Sequence, residues 1–259
     1  MLIGFPNSIR IYSGLGLRLI QSQIKIAKVK LPWDLAASDS DRCLYVTDRG
    51  NRCVWKITSP KHRVTRWLSD IGSPYTLSVA ADGHIVLPRQ GLPSRVVVYT
   101  SEAVPIHDVQ LPADIENPLY ALMSRSTETL WLSYGKLYSR MRGICELTIE
   151  GKVVRSYEPK ESHQELEDSV GHPCHLSLDA AGGRLFVADY GNDRVVLLNS
   201  DLSWNQIVVS PAKDAIRKPS RICYDEAERR LIVGHMGEFE GSSGWMKSLR
   251  KRVDVFRLI

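Results

Sequence analysis

The sequence has no run of 18 apolar residues, so no stretch of it reads as a membrane-spanning helix. Met1 to Phe5 is too short, and has no basic flank before it, to be a secretory signal. Cysteine is sparse: Cys43, Cys53, Cys145, Cys174 and Cys223 are odd in number and include no C-x-x-C pair. That argues against a disulfide framework, and the spacing does not suit a zinc site. Free, mostly buried thiols in a reducing compartment are expected, which places the chain in the cytoplasm. G-x-S-x-G, a Gly-rich phosphate loop and H-E-x-x-H are all missing. No low-complexity tract or composition break marks a second domain. The 259 residues, 43% apolar and 24% charged, read as one globular domain over 1–259.

What the chain does have is a repeat. The stretch 171–200 holds three β-rich runs separated by the turn residues Ala181–Gly183 and Asp189–Asp193. Similar units start at Pro32, Pro74, Pro118, Pro173 and Pro219, spaced 42, 44, 55 and 46 residues apart. Each unit has an apolar run closing on a small or turn residue, as in Leu44 to Asp48 and Leu185 to Asp189. An Arg then opens the next run: Arg52, Arg95, Arg142, Arg194 and Arg252. One further amphipathic segment, such as Val64 to Leu68, completes a four-strand unit. A strand repeat of about 40 residues is the mark of a propeller.

The tracts Asp48-Arg49-Gly50-Asn51-Arg52 and Asp189-Tyr190-Gly191-Asn192-Asp193-Arg194 resemble those of NHL-repeat β-propellers. The remaining three units keep the strands and depart in the turn. Pro173-Cys174-His175-Leu176 is similar to the strand openings of the C-terminal propellers of tripartite-motif proteins. The resemblance implies an all-β, six-bladed propeller of NHL type. Its blade units are 1–30, 31–72, 73–116, 117–171, 172–217 and 218–259, the first and last incomplete. Residues 1–30 lack an innermost strand and the last unit stops before its outermost one, so a longer parent protein is expected. A fold of this kind hosts many activities.

In propeller geometry the residues two after each unit proline (Asp34, Thr76, Tyr120, His175 and Arg221) recur near the channel mouth. Propeller enzymes place metal ligands there. This set offers one carboxylate and one imidazole beside an Arg, so neither a metal nor another cofactor is expected, and no catalytic residue. Asp48 and Asp189 are expected to accept turn N–H groups, Asn51 and Asn192 to take left-handed φ, and the repeated Arg to pair with the carboxylate. Two insertions break the regularity. Glu158 to Gly171 is an acidic loop or short helix, and Met236 to Lys251 is a Gly-rich flap.

Charge is uneven. Residues 1–30 carry five basic residues and no acid. Residues 241–259 carry five against Asp254, so 31–240 is net acidic although the chain is +5. The loops of one face hold Arg49, Arg89, Arg140, Lys218, Arg221, Lys247 and Arg250, with Trp33, Tyr75, Tyr134, Tyr190, Trp245 and the channel His175 among them. Tyr, Trp and Arg make protein hot spots. Arg or Lys for phosphates with aromatics for stacking also suits single-stranded RNA. The expectation is a non-catalytic recognition propeller with a protein partner. An RNA-binding propeller acting in post-transcriptional regulation is the alternative, a metal-dependent lactonase-like or lyase propeller enzyme a lesser one, and neither DNA nor a membrane is expected. If the parent is a tripartite-motif ubiquitin ligase, this part would choose the substrate.

Overall fold

The computed structural model describes residues 2–5, 8–12, 19–124, 129–136, 142–157, 169–179, 181, 183–235 and 252–258. Its strands are antiparallel meanders, each sheet built from consecutive strands. The N-terminal ladder is β1 (Leu2–Phe5), β2 (Ser8–Tyr12) and β3 (Leu19–Lys25). There follow β4 (Pro32–Ser38), β5 (Cys43–Asp48), β6 (Cys53–Thr58) and β7 (Arg63–Ser69). The next sheet is β8 (Ser78–Val79), β9 (Ile85–Arg89), β10 (Arg95–Tyr99) and β11 (Pro105–Gln110). Then come β12 (Pro118–Met123), β13 (Thr129–Gly135), β14 (Arg142–Thr148) and β15 (Val153–Tyr157). The fifth group is β16 (Pro173–Asp179), β17 (Arg184–Asp189), β18 (Arg194–Leu198) and β19 (Trp204–Val209). Last are β20 (Pro219–Asp225), β21 (Arg230–His235) and β22 (Arg252–Arg257).

This is an all-β propeller, and the expected blade number is corrected. It has five blades of three or four strands each, not six. Among the described residues five sheets follow the five unit prolines, and the three-stranded ladder β1–β3, read from the sequence as a first blade, precedes the first of them. The repeat pattern of its outer strands made it look like a blade unit.

Local sequence explains the strands. The middle strands of each blade are covered on both faces, so they read as continuous β-branched runs rather than alternating ones. Arg194–Leu198 is buried at every position. The outer strands are mostly exposed or half-buried, as β7 is. The innermost strand of the second blade is cut to Ser78–Val79, although the sequence suggests a strand from Pro74. The Leu77 N–H goes to the Asp34 carboxylate at 3.0 Å.

Two compact units divide the chain. One comprises Met1–Ala113, Tyr120–Leu130 and Ile149–Gly151. Its core packs Ile9, Ile24 and Ile26 against Val46, Trp55 and Ile57, and Tyr45 and Val54 against Leu77, Leu87 and Val97. Trp67 stands edge-on to Tyr45 and Tyr99, at centroid distances of 4.9 and 5.7 Å. The other comprises Asp114–Leu119, Trp131–Thr148 and Lys152–Ile259. There Phe186, Val195 and Leu197 pack against Ile222, Leu231 and Val233. Burying each such side chain stabilises the fold by about 1.5–3 kcal/mol. No helix among the described residues is long and apolar enough to cross a membrane.

Candidate functional site

The Asp–Gly–Asn turns are built from local sequence, and each ties a blade to its own lead-in segment. The Asp48 carboxylate accepts from the N–H groups of Lys30, Leu31, Gly50 and Asn51, from Asn51 Nδ2 and from the Trp55 indole. Burial acts to raise its pKa, but the hydrogen bonds from Leu31, Trp55, Lys30 and Asn51 outweigh it and leave the pKa lowered. Asp189, fully buried, accepts from the N–H groups of Gly171 and His172, from Asn192 Nδ2 and from Arg194 Nε at 3.1 Å.

Two expectations about these turns are corrected. Left-handed φ falls one residue later than Asn51 and Asn192, at Arg52 (φ 53°) and Asp193 (φ 56°), because both Asn side chains are held back onto the turn carboxylate. The repeated Arg is not one device. Arg194 pairs with its turn Asp. Arg52 instead occupies the position of Asp193, and the Trp55 indole serves Asp48. Arg95 pairs with Asp108 across β10 and β11 at an exposed site. Arg142 is half-buried at the start of β14. The side chain of Arg252 lies outside the described residues.

Near the unit prolines, side chains latch one blade to the next. Asp34 accepts the Leu77 N–H. The Ser78 hydroxyl donates to the Ala121 carbonyl at 2.7 Å. The Ile222 N–H points to His175 Nδ1 at 3.5 Å, and the Tyr224 N–H to the Ser177 hydroxyl at 2.9 Å. Leu77, Ala121 and Ile222 each lie three residues after a unit proline. Burial, with Arg221 nearby, pushes the His175 pKa well down. Its neutral Nδ1 suits an acceptor role. Thr76 and Tyr120 are also buried. Asp34 and His175 therefore work as latches. Among the described residues no three His, Cys, Asp or Glu come together as a ligand group.

One group of expected site residues does converge. Arg49 lies between two rings, its guanidinium carbon 4.6 Å from the Trp33 centroid and 4.1 Å from that of Tyr75. Arg49 donates to the Tyr75 hydroxyl at 2.9 Å, and the two rings meet edge-on at 5.6 Å. Trp33 remains 38% exposed. Arg49 Nε is buried with no hydrogen-bond partner, and among the described residues no carboxylate pairs with Arg49. The stack is a cation held by aromatic faces, without a counter-charge among the described residues.

No protein-family model matches the chain, and no curated protein matches it. Solved structures do. A nidogen/laminin complex aligns with a TM-score of 0.69 at 17% identity, covering 91% of this chain and 84% of that one. A protein of unknown function from Bacteroides caccae aligns with a TM-score of 0.69 at 13% identity, covering 91% and 82%. The hydrazine synthase of Kuenenia stuttgartiensis aligns with a TM-score of 0.64 at 14% identity, covering 97% and 90%. The likeness is one of fold.

The other expected residues sit apart from this stack or within the second unit. In that unit Lys218 lies over the Tyr190 ring at 5.1 Å and faces Asp193 at 3.5 Å. Tyr190 meets His172 edge-on at 6.0 Å. Arg221 donates to the Ser220 carbonyl at 2.6 Å. Tyr134 is buried beside Gly143. In the first unit Arg89 is half-buried at the end of β9. Arg140, Trp245, Lys247 and Arg250, and both insertions except 169–171, lie outside the described residues.

Sequence reasoning missed Thr47. Its hydroxyl accepts the Asp34 N–H at 2.8 Å and donates to the Tyr75 carbonyl at 3.0 Å, fixing one wall of the stack. The signal was its place just before the turn Asp. Leu31 and Leu92, 49% and 95% exposed, were missed too.

Proposed function

We propose that this chain is a non-catalytic recognition propeller whose Trp33–Arg49–Tyr75 stack takes a protein partner. One observation carries the reading: a pre-positioned Arg, clamped by two rings, has no carboxylate partner among the described residues while Trp33 stays partly exposed. Aromatic and Arg anchors held rigidly before binding cost little ordering entropy. Half-exposed Leu31, beside Arg49 in a backbone hydrogen bond at 3.0 Å, adds apolar surface. That one structure of similar fold was solved as a nidogen/laminin complex is in keeping with a protein partner.

In this reading the chain is one propeller domain over 1–259. The NHL-like turns support a role as the substrate-choosing part of a ubiquitin-ligase protein of tripartite-motif type, in the cytoplasm. Tyr190, Lys218 and Arg221 belong to the recognition surface of the second unit.

The test compares the wild-type protein with Trp33→Ala and Arg49→Ala as baits in quantitative affinity purification, alongside anisotropy with a pooled hairpin RNA at two salt concentrations. A set of proteins depleted at least about tenfold by both substitutions is expected, as for hot-spot residues. Salt-sensitive RNA binding lost in Arg49→Ala would hand the site to RNA. Identical protein sets from all three baits would refute the reading.

A further inference from the structure

One surface of the first unit carries more positive charge than its turn needs. Segments 28–34, 48–52 and 70–76 supply the Trp33–Arg49–Tyr75 stack and its neighbours. The first two lie against each other. The Arg49 N–H donates to the Leu31 carbonyl at 3.0 Å and Asn51 Nδ2 to the Lys28 carbonyl at 2.7 Å. A methyl on Gly50 would come within 2.8 Å of the Lys30 Cβ. Lys28, Lys30 and Arg52 are exposed, and Arg49 is half-buried. Among the described residues none of these four cations pairs with a carboxylate. Asp34 and Asp48 are buried and already accept N–H groups, which leaves Asp70 as the exposed carboxylate of the three segments.

The turn does not ask for this charge. The blade that starts at Pro173 builds the same device with the same bonds. There Asp189 accepts from the N–H groups of Gly171 and His172, as Asp48 does from Lys30 and Leu31. Asn192 donates to the Ser169 carbonyl at 2.9 Å, as Asn51 does to Lys28, and Asp193 is left-handed like Arg52. In the places of Lys28, Lys30, Arg49 and Arg52 that blade carries Ser169, Gly171, Tyr190 and Asp193, none of them basic. Like charges gathered on one turn repel, so the four cations cost the folded state rather than help it, while their field draws an anion.

Two features favour an acidic polypeptide over RNA as that anion. The Trp33 and Tyr75 rings, on which bases would stack, already hold the Arg49 guanidinium between them. Leu31, next to Lys30 and 49% exposed, offers an apolar contact that a phosphate cannot use and an aliphatic side chain can. We propose that the partner presents to this surface an acidic segment, with an aliphatic side chain lying on Leu31 and carboxylates beside it reaching Arg49, Arg52 and the two lysines. This names the chemistry of the partner and rests on the reading of the stack as a protein-binding site.

The probe is a phage-displayed library of random dodecapeptides selected on the wild-type protein. Selected peptides should be richer in Asp and Glu than the starting library and keep a Leu, Ile or Val. The strongest, fluorescein-labelled and read by anisotropy, should bind Lys30→Glu and Arg52→Asp each at least about fivefold more weakly, the scale of one exposed charge pair. Arg52→Asp copies the residue of the Pro173 blade, so it keeps the test open if Lys30→Glu melts early. Selected peptides without acidic bias that still need Trp33 and Arg49 would overturn this inference and leave the protein-binding reading standing. Acidic peptides that bind both charge variants as tightly as the wild type would overturn it as well. So would a library that yields no enrichment, and hairpin RNA binding lost by the same substitutions would then overturn both readings.

Discussion

Replacing Asp189 by Ala leaves the Arg194 guanidinium, 7% exposed, without its carboxylate. The N–H groups of Gly171 and His172 and the Asn192 amide lose their acceptor as well. Arg194 keeps the Ser169 carbonyl at 2.7 Å and its place over Trp204 at 5.2 Å, so it stays anchored where it is no longer neutralised. Breaking a buried pair by deleting one partner costs about 3–5 kcal/mol. At roughly 2–4 °C per kcal/mol for a chain near this size, the melting temperature should fall by about 6–20 °C. Arg194→Met should cost less, about 1–3 kcal/mol, because Asp189 retains three N–H donors that satisfy a carboxylate. The double variant Asp189→Ala/Arg194→Met should be more stable than the sum of the single losses, since no charge is then stranded. Scanning fluorimetry and urea unfolding of the four proteins measure the cycle. A loss below about 1 kcal/mol in Asp189→Ala, or strict additivity, would refute the view that this carboxylate holds the turn to its lead-in segment.

Other outcomes follow from the same contacts. Because the Asp48 pKa is lowered in the folded state, its stabilisation is present above the unfolded value near 4 and is lost as pH falls through the lower folded value; Asp48→Asn should flatten the acid limb of a stability–pH curve below about pH 4, and an unchanged limb would contradict this. Gly143→Ala would drive a methyl to within 2.7 Å of both the Tyr134 hydroxyl and the Tyr157 carbonyl; a loss of about 1–3 kcal/mol in urea unfolding is expected. An aromatic-disulfide reagent at pH 8 should label exposed Cys223 first although its surroundings raise its thiol pKa, Cys174 more slowly because burial pushes its thiol up to about 12, and buried Cys43, Cys53 and Cys145 only on unfolding. Arg49→Ala should leave the melting temperature within about 2 °C, since the residue is half-exposed and no carboxylate among the described residues depends on it; a larger drop would make the stack structural.

The strands were legible because each blade repeats its pattern of β-branched runs between Gly, Asn and Asp turns. The blade number was not, since Leu2–Phe5 and Ser8–Tyr12 look like outer strands whether or not an inner one precedes them. Lining up Arg52 with Arg194 failed for a similar reason: both follow an Asn within two residues, but one occupies the left-handed position and the other opens the strand. The convergence of Trp33, Arg49 and Tyr75 was legible only as membership of one face. What brings them together is Thr47 bonding to both Asp34 and Tyr75, a contact between segments 28 residues apart that no local pattern announces.

The latches have a consequence for how such a chain can change. In two of them a side chain near one unit proline meets a backbone N–H three residues after the next, Asp34 with Leu77 and His175 with Ile222. A backbone N–H is the same chemical group whichever residue carries it. The receiving half of this joint is thus independent of sequence, and the giving half needs only an acceptor of suitable reach, a carboxylate in one blade and a neutral imidazole in another. The hydrogen-bonded part of this joint asks no particular side chain of the receiving blade; that demand falls instead on the apolar packing, such as Tyr45 and Val54 against Leu77, Leu87 and Val97.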